Sequence, residues 1–288
     1  MNNADGTNCR RNFLKTMAGS AVALAGLGAP LPQARAAAYS QNLLQVWSCG
    51  GLAEAMNPAN ELFESRTGVR VSYTGAFAAA LGKSLLGSST TEVFAGRVLD
   101  LAKKLRQSGK MTSFKPLCFT SYVMVTPKGN PARIEKIEDM ARPGVKVVLA
   151  PEASPPGGAA AINVLKKAGI HDAVMKNCVT LGSCVQRTMD DVISGKGDVS
   201  IVELRVTRIP QFSGRVDVVE FPEALFPPPP LTFTVGVMKH AKDPKLAGDY
   251  AEFLTSPEGQ AFFERAGFIP AISDKGMALV EKLGVKDA

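Results

Sequence analysis

The stretch VWSCGGL, Val46 to Leu52, ends an apolar run and breaks into a serine, a cysteine and two glycines. Backbone amides in such a loop, directly after a strand, approach a small ligand closely because glycine puts no Cβ in the way. Other chemistry-bearing groups also stand at the ends of apolar runs: Arg97 follows VFAG, Glu203 follows VSIV, and Gly157 with Gly158 sits where a helix begins. Open α/β sheets hold their ligands at the carboxyl ends of strands. A guanidinium there clamps an anion in bidentate fashion, and a buried carboxylate needs a cation or a proton beside it. Each residue also has a plainer reading. Arg97 can be a solvated residue opening a helix, and Glu203 half of a surface salt bridge with Arg205 or Arg208.

The cysteines leave several chemistries open. Apart from Cys9 near the N-terminus, the chain carries Cys49, Cys118, Cys178 and Cys184. An even number in an oxidising compartment suggests disulfides, and Leu181-Gly182-Ser183 supplies a turn between Cys178 and Cys184. The same spacing also suits metal ligands or buried free thiols. His171 and His240 have no metal-ligand spacing to each other or to a cysteine, and no C-x-x-C pair is present. Nor is there a G-x-S-x-G or a nucleophile–base–orienter set, and Asp190, Asp191 and Glu258 fall on solvated helix faces. The sequence therefore argues against an enzyme.

Composition sets the wider frame. The 288 residues are 45% hydrophobic and 20% charged, which suits one large domain or two lobes. Residues 1–36 read as an export signal: CRRNFLK carries paired arginines, a small-residue apolar stretch follows, and Ala34-Arg35-Ala36 offers a cleavage site. The segment resembles a twin-arginine signal and directs the chain to the periplasm. Its four cations and one aspartate account for +3 of the formal +7, leaving a mildly basic mature chain. With no Lys/Arg cluster interleaved with aromatics, nucleic acid is not an expected partner.

The elements that position these residues follow from hydrophobic period. NLLQVWS is a buried strand and LAEAMNPANELFESRTG an amphipathic helix closed by Gly68. VRVSYTG and EVFAG are strands, with AALGKSLLGSS and RVLDLAKKLRQSGK as helices. Strands separated by helices imply right-handed βαβ units and mostly parallel sheets. FKPLCFTSYVMVTPKGNP is longer than one typical strand and suits a crossing between lobes. VKVVLAPEASPPGGAAAINVLKKAGI repeats the strand–loop–helix pattern, CVQRTMDDVISGKG is a helix, and DVSIVEL is a buried strand. FPPPPLTFTVGVM is a second crossing, stiffened by Pro227 to Pro230. Two helices split at Ser256-Pro257 end the pattern.

In this order, LFESRTGVRVSYTGA, EVFAGRVLDLAKKLRQSGK, VTPKGNP, GGAAAINVLKKAGI and FLTSPEGQAFFERAGF resemble the periplasmic molybdate/tungstate-binding proteins of ABC importers. The resemblance covers residues 43–270. It implies a type II two-lobed α/β fold, with 37–120 and 231–288 as lobe one and 121–230 as lobe two. It also implies a monomeric receptor that takes a small inorganic oxyanion between its lobes, needs no cofactor, and delivers to a membrane permease. The family's ligand loops align with Ser48, Cys49, Gly50 and Gly51, with Phe77 and Ala78, with Pro156, Gly157 and Gly158, with Cys184 and Val185, and with Glu203; Arg97 joins them from its strand end. Two hydroxyl donors of the family are replaced here, and Glu203 stands where a tyrosine is expected. The alternative is a receptor for a transition-metal cation or metal complex held by Cys49, Cys184 and Glu203. A metal-handling factor or enzyme on the same scaffold is the reading from another class.

Overall fold

The buried face of the first strand is set by its alternation. β1 (Leu43–Cys49) buries Leu44 and Val46 completely, as a strand covered by helices on that face must. The computed structural model describes residues 39–153, 157–225 and 232–287, so the export-type segment, Pro156 and Pro227 to Pro230 lie outside the described residues.

After β1 a 3-10 turn (Gly50–Leu52) leads into α1 (Ala53–Thr67), which ends where Gly68 takes a left-handed conformation at φ 72°. β2 (Arg70–Ala76), α2 (Ala78–Leu86), β3 (Val93–Arg97), α3 (Leu99–Gln107) and β4 (Met111–Thr120) follow. β1 pairs in parallel with both β2 and β3, as the alternation of strands and helices implies. The long run expected to cross divides at Ser121: β4 stays in the first sheet, while β5 (Tyr122–Pro127) enters another.

β5 lies between β8 (Ser200–Glu203) and β9 (Val216–Val219), antiparallel to both. β6 (Val147–Leu149) and β7 (Cys178–Leu181) form a short parallel pair. Successive β5 side chains point to opposite faces. Tyr122 and Met124 pack with α4 (Gly157–Lys167) and α5 (His171–Lys176), whereas Val123 and Val125 pack with α6 (Val185–Ile193) and α7 (Leu204–Arg208). Apolar residues at every position from Tyr122 to Val125 thus reflect a strand covered on both sides.

β10 (Thr232–Met238) rejoins the first sheet between β3 and β4, antiparallel to both, and β11 (Phe268–Pro270) adds to its edge beside β4. The six-stranded order is β11-β4-β10-β3-β1-β2. Among the described strands three ladders are parallel, β1 with β2 and β3 and β6 with β7, and five are antiparallel. The sheets are therefore mixed and not mostly parallel as the alternation of strands and helices implied, because the crossing strands β4, β5 and β10 run against their neighbours. α8 (Pro244–Thr255) and α9 (Pro257–Arg265) pack with α1 on one face through Phe63, Leu246, Tyr250 and Phe263; α2 and α3 cover the other through Leu85 and Leu105. α8 and α9 separate where the sequence indicates, with the Ser256 hydroxyl accepting from the Gly259 amide and Pro257 opening α9. α10 (Asp274–Leu283) packs Leu279 near Phe119. No helix among the described residues is long and apolar enough to cross a membrane.

Candidate functional site

The carboxyl ends of β3 and β8, which belong to different sheets, meet through charge. Arg97, the last residue of β3, donates from Nη2 to Glu203 Oε1. Glu203 ends β8, and its other oxygen accepts from Arg205 Nε at 2.5 Å. Arg205 sits in the first turn of α7 and also faces Glu54 of α1, with Nη1 3.6 Å from the Glu54 carboxylate. Arg97 and Glu203 are only 3% and 7% exposed. A buried cluster of two guanidinium groups around one carboxylate thus ties the six-stranded sheet to the three-stranded one.

Small residues make this approach feasible. A Cβ on Gly157, the first residue of α4, would lie 2.9 Å from Glu203 Oε1. One on Gly51 would meet the Arg205 guanidinium at 3.4 Å. Gly267, at φ 90°, brings the turn after α9 so close that a Cβ would sit 2.9 Å from the Arg205 backbone. Tyr122, paired with Glu203 across β5 and β8, directs its hydroxyl toward the Gly157 carbonyl at 3.5 Å.

Electrostatics keep the cluster ionised. Burial alone would raise the Glu203 pKa, but the positive charges of Arg205 and Arg97, with their hydrogen bonds, lower it from 4.5 to about 2. Burial, reinforced by the Glu203 charge, raises Tyr122 and keeps its phenol protonated. The Arg97 guanidinium also lies over the Phe233 ring, 5.4 Å from its centroid, while its Nε has no hydrogen-bond acceptor among the described residues. A buried ion cluster is often matched in stability by well-packed apolar residues of similar volume, so its presence is weak evidence of a role in stability. A buried charge with a strongly perturbed pKa and a specific charge partner at a strand end is a candidate functional site.

The other sequence-derived residues divide into those near this cluster and those otherwise engaged. Gly50 and Gly51 form the turn between β1 and α1, with Gly51 against Arg205. The Ser48 hydroxyl is already used: it lies 2.6 Å from the Tyr73 hydroxyl and donates to the Cys49 carbonyl at 3.0 Å. Phe77, 64% exposed, and Ala78 mark the start of α2. The Gly158 amide donates to the Ala153 carbonyl at 2.8 Å rather than standing free. Cys184 and Val185 begin α6, where the Cys184 carbonyl accepts from the Thr188 amide and hydroxyl.

Two of the readings the sequence left open are not met. The metal set of Cys49, Cys184 and Glu203 is not assembled: no group of three or more His, Cys, Asp or Glu residues among those described is placed to hold an ion. Both Glu203 oxygens are taken by guanidinium groups, whose charge repels a cation. The local disulfide between Cys178 and Cys184 does not form either. Cys178 is a free thiol that donates to the Thr180 carbonyl at 3.2 Å, because β7 is extended and carries the chain away from it before Cys184. Cys49 and Cys118 are buried free thiols. Sequence reasoning places Arg205 only on the surface; its signal is an arginine two residues beyond a strand-end glutamate. Glu54 and Tyr122 carry no signal of their own.

A sequence-family profile described as bacterial extracellular solute-binding protein matches residues 44–269. The molybdate-binding protein ModA of Mycobacterium tuberculosis is 28% identical over 259 residues, covering 86% of this chain and 95% of that protein. The substrate-binding domain of a putative molybdenum ABC transporter from Clostridium difficile superposes with a TM-score of 0.70 at 22% identity, covering 79% of this chain and 98% of the other. The periplasmic molybdate-binding protein of Azotobacter vinelandii gives 0.60 at 17% identity, covering 78% and 98%.

Proposed function

The chain belongs to the family of bacterial extracellular solute-binding proteins, and from that premise we propose that it is the receptor of an ABC importer, capturing a small oxyanion of the molybdate/tungstate class between two lobes. The family is one of solute-binding proteins rather than enzymes, and its type II two-lobed fold is that of the structural relatives. The observation that carries the ligand class is the pair of the buried Arg97 and the largely covered Arg205 beside the start of α4: two guanidinium groups and a helix N-terminus form an anion environment. The names of the relatives support the same class.

In this reading 37–120 with 231–288 is lobe one, and 121–230 is lobe two. Lobe one presents the backbone of Ser48, Cys49, Gly50 and Gly51 with Arg97. Lobe two presents Gly157, Cys184, Val185 and Arg205, while Phe77 and Ala78 border the mouth and Pro156 precedes α4. Closure of the lobes yields affinity because the ligand touches both only when they are shut. The receptor works as a periplasmic monomer, exported by the twin-arginine route, and hands its ligand to a membrane permease.

Thermal unfolding against molybdate, tungstate, sulfate and divalent zinc or copper tests this. An oxyanion at about a hundred times its Kd should add about 2.7 kcal/mol to stability. A shift with zinc or copper alone, or with no ligand in the set, overturns the proposal.

A further inference from the structure

The Glu203 carboxylate has the surroundings of a captured anion. It lies between two guanidinium groups, accepting from Arg97 Nη2 with one oxygen and from Arg205 Nε with the other. It reaches the first residue of the eleven-residue helix α4, where only the missing Gly157 side chain allows Oε1 so close. Its donors come from the end of β3 and from the helix α7 that follows β8, so they reach it from two sides, as a ligand bridging two lobes requires. One feature of its coordination is incomplete: Arg97 Nε is buried and has no acceptor among the described residues. Glu203 Oε1 and Oε2 face Arg97 Nη2 and Arg205 Nε and neither reaches Arg97 Nε, whereas a tetrahedral oxyanion brings further acceptors in other directions for such a donor.

From this geometry we infer that Glu203 is a tethered anion occupying the ligand's own position, and that the captured oxyanion takes its place between Arg97 and Arg205. The inference rests on the reading of the site as an anion receptor and adds its selection rule. A univalent competitor is built into the chain at a fixed, high effective concentration. An incoming anion must displace it, so the site favours doubly charged oxyanions over univalent ones. Apparent affinity is reduced by the fraction of molecules in which Glu203 holds the arginines. A neutral glutamine has the same shape but competes weakly for two guanidinium groups.

The experiment compares the purified wild-type protein with Glu203→Gln by calorimetric titration with molybdate, tungstate and sulfate. The variant should bind the preferred oxyanion about tenfold or more tightly, because the built-in competitor has been weakened. Unchanged or weaker binding by the variant overturns the inference while leaving the receptor reading intact. If neither protein binds any of the three anions, the receptor reading fails and takes the inference with it. Glu203→Ala supplies a second arm that does not depend on the variant's affinity. Millimolar sodium formate should raise its melting temperature but not that of the wild type, because formate restores the missing carboxylate. Equal response of the two proteins to formate overturns the inference.

Discussion

Glu203 sets the pH behaviour of the molecule. Its carboxyl titrates at 4.5 when freely solvated and at about 2 in the fold, where burial is outweighed by Arg205 and Arg97. The unfolded chain therefore binds a proton that the folded chain does not as pH falls between these values. The stability contributed by the ionised group is fully present above about pH 4.5 and is lost as pH falls toward about 2. Urea unfolding at a series of acidic pH values should show this decline, and Glu203→Gln should flatten it within that window. An equally steep decline in the variant would assign acid sensitivity to other carboxylates. Glu203 was legible from the VSIV run that precedes it, and Arg97 from VFAG. That the two meet was not legible, because 106 residues separate them.

At the scale of elements, the approach of α4 to the loop after β6 depends on Gly158. A Cβ there would lie 2.3 Å from the Ala150 carbonyl oxygen and 2.6 Å from that of Pro151. Gly158→Ala must push the helix start away from the loop, at a cost of about 1–3 kcal/mol by analogy with overpacked cores. Oxyanion affinity should fall with it, since α4 points its first residue at the site. Gly248, inside α8, is the control, because a Cβ placed on it would meet open space. Gly248→Ala should stabilise by about 0.5–1 kcal/mol, since alanine loses less backbone entropy in a helix. Denaturant midpoints of the two variants check both signs. The glycines at the α4 start were visible in GGAAAINVLKK, but their separate duties were not. Gly157 admits a carboxylate and Gly158 admits a carbonyl, a distinction set by neighbours from other parts of the chain.

Across the whole molecule, the cluster links the sheet containing β3 to the sheet containing β8, and Arg205 extends it to Glu54 on α1. Glu203 is the anion between the two guanidinium groups that reach it from these two sides. Glu203→Lys replaces that anion with a third positive charge and should drive the two sides apart. Small-angle X-ray scattering should record a larger radius of gyration than in the wild type, with circular dichroism confirming retained secondary structure. An unchanged radius would show that the charges follow the arrangement of the lobes instead of holding it. Thiol chemistry is likewise decided beyond the reach of spacing. Cys178 and Cys184 flank a turn in the sequence, but β7 lies extended beside β6 and the Cys178 thiol remains free.

The family follows from the resemblance of the ordered motifs, and β7, β9, β11, α5, α7 and α10 carried no clear signal; the sequence by itself determined the other strands and helices and the long run that crosses between sheets. These depend on period, capping and turn chemistry, which act between residues a few positions apart. Only the tertiary structure decided that the crossing strands pair antiparallel, that Glu203 faces arginines instead of thiolates, and that Gly51, Gly157 and Gly267 make room for that cluster. A charge's role depends on which opposite charge comes within a few ångströms of it, and the distance between β3 and β8 is set by the folded chain, not by their spacing along it.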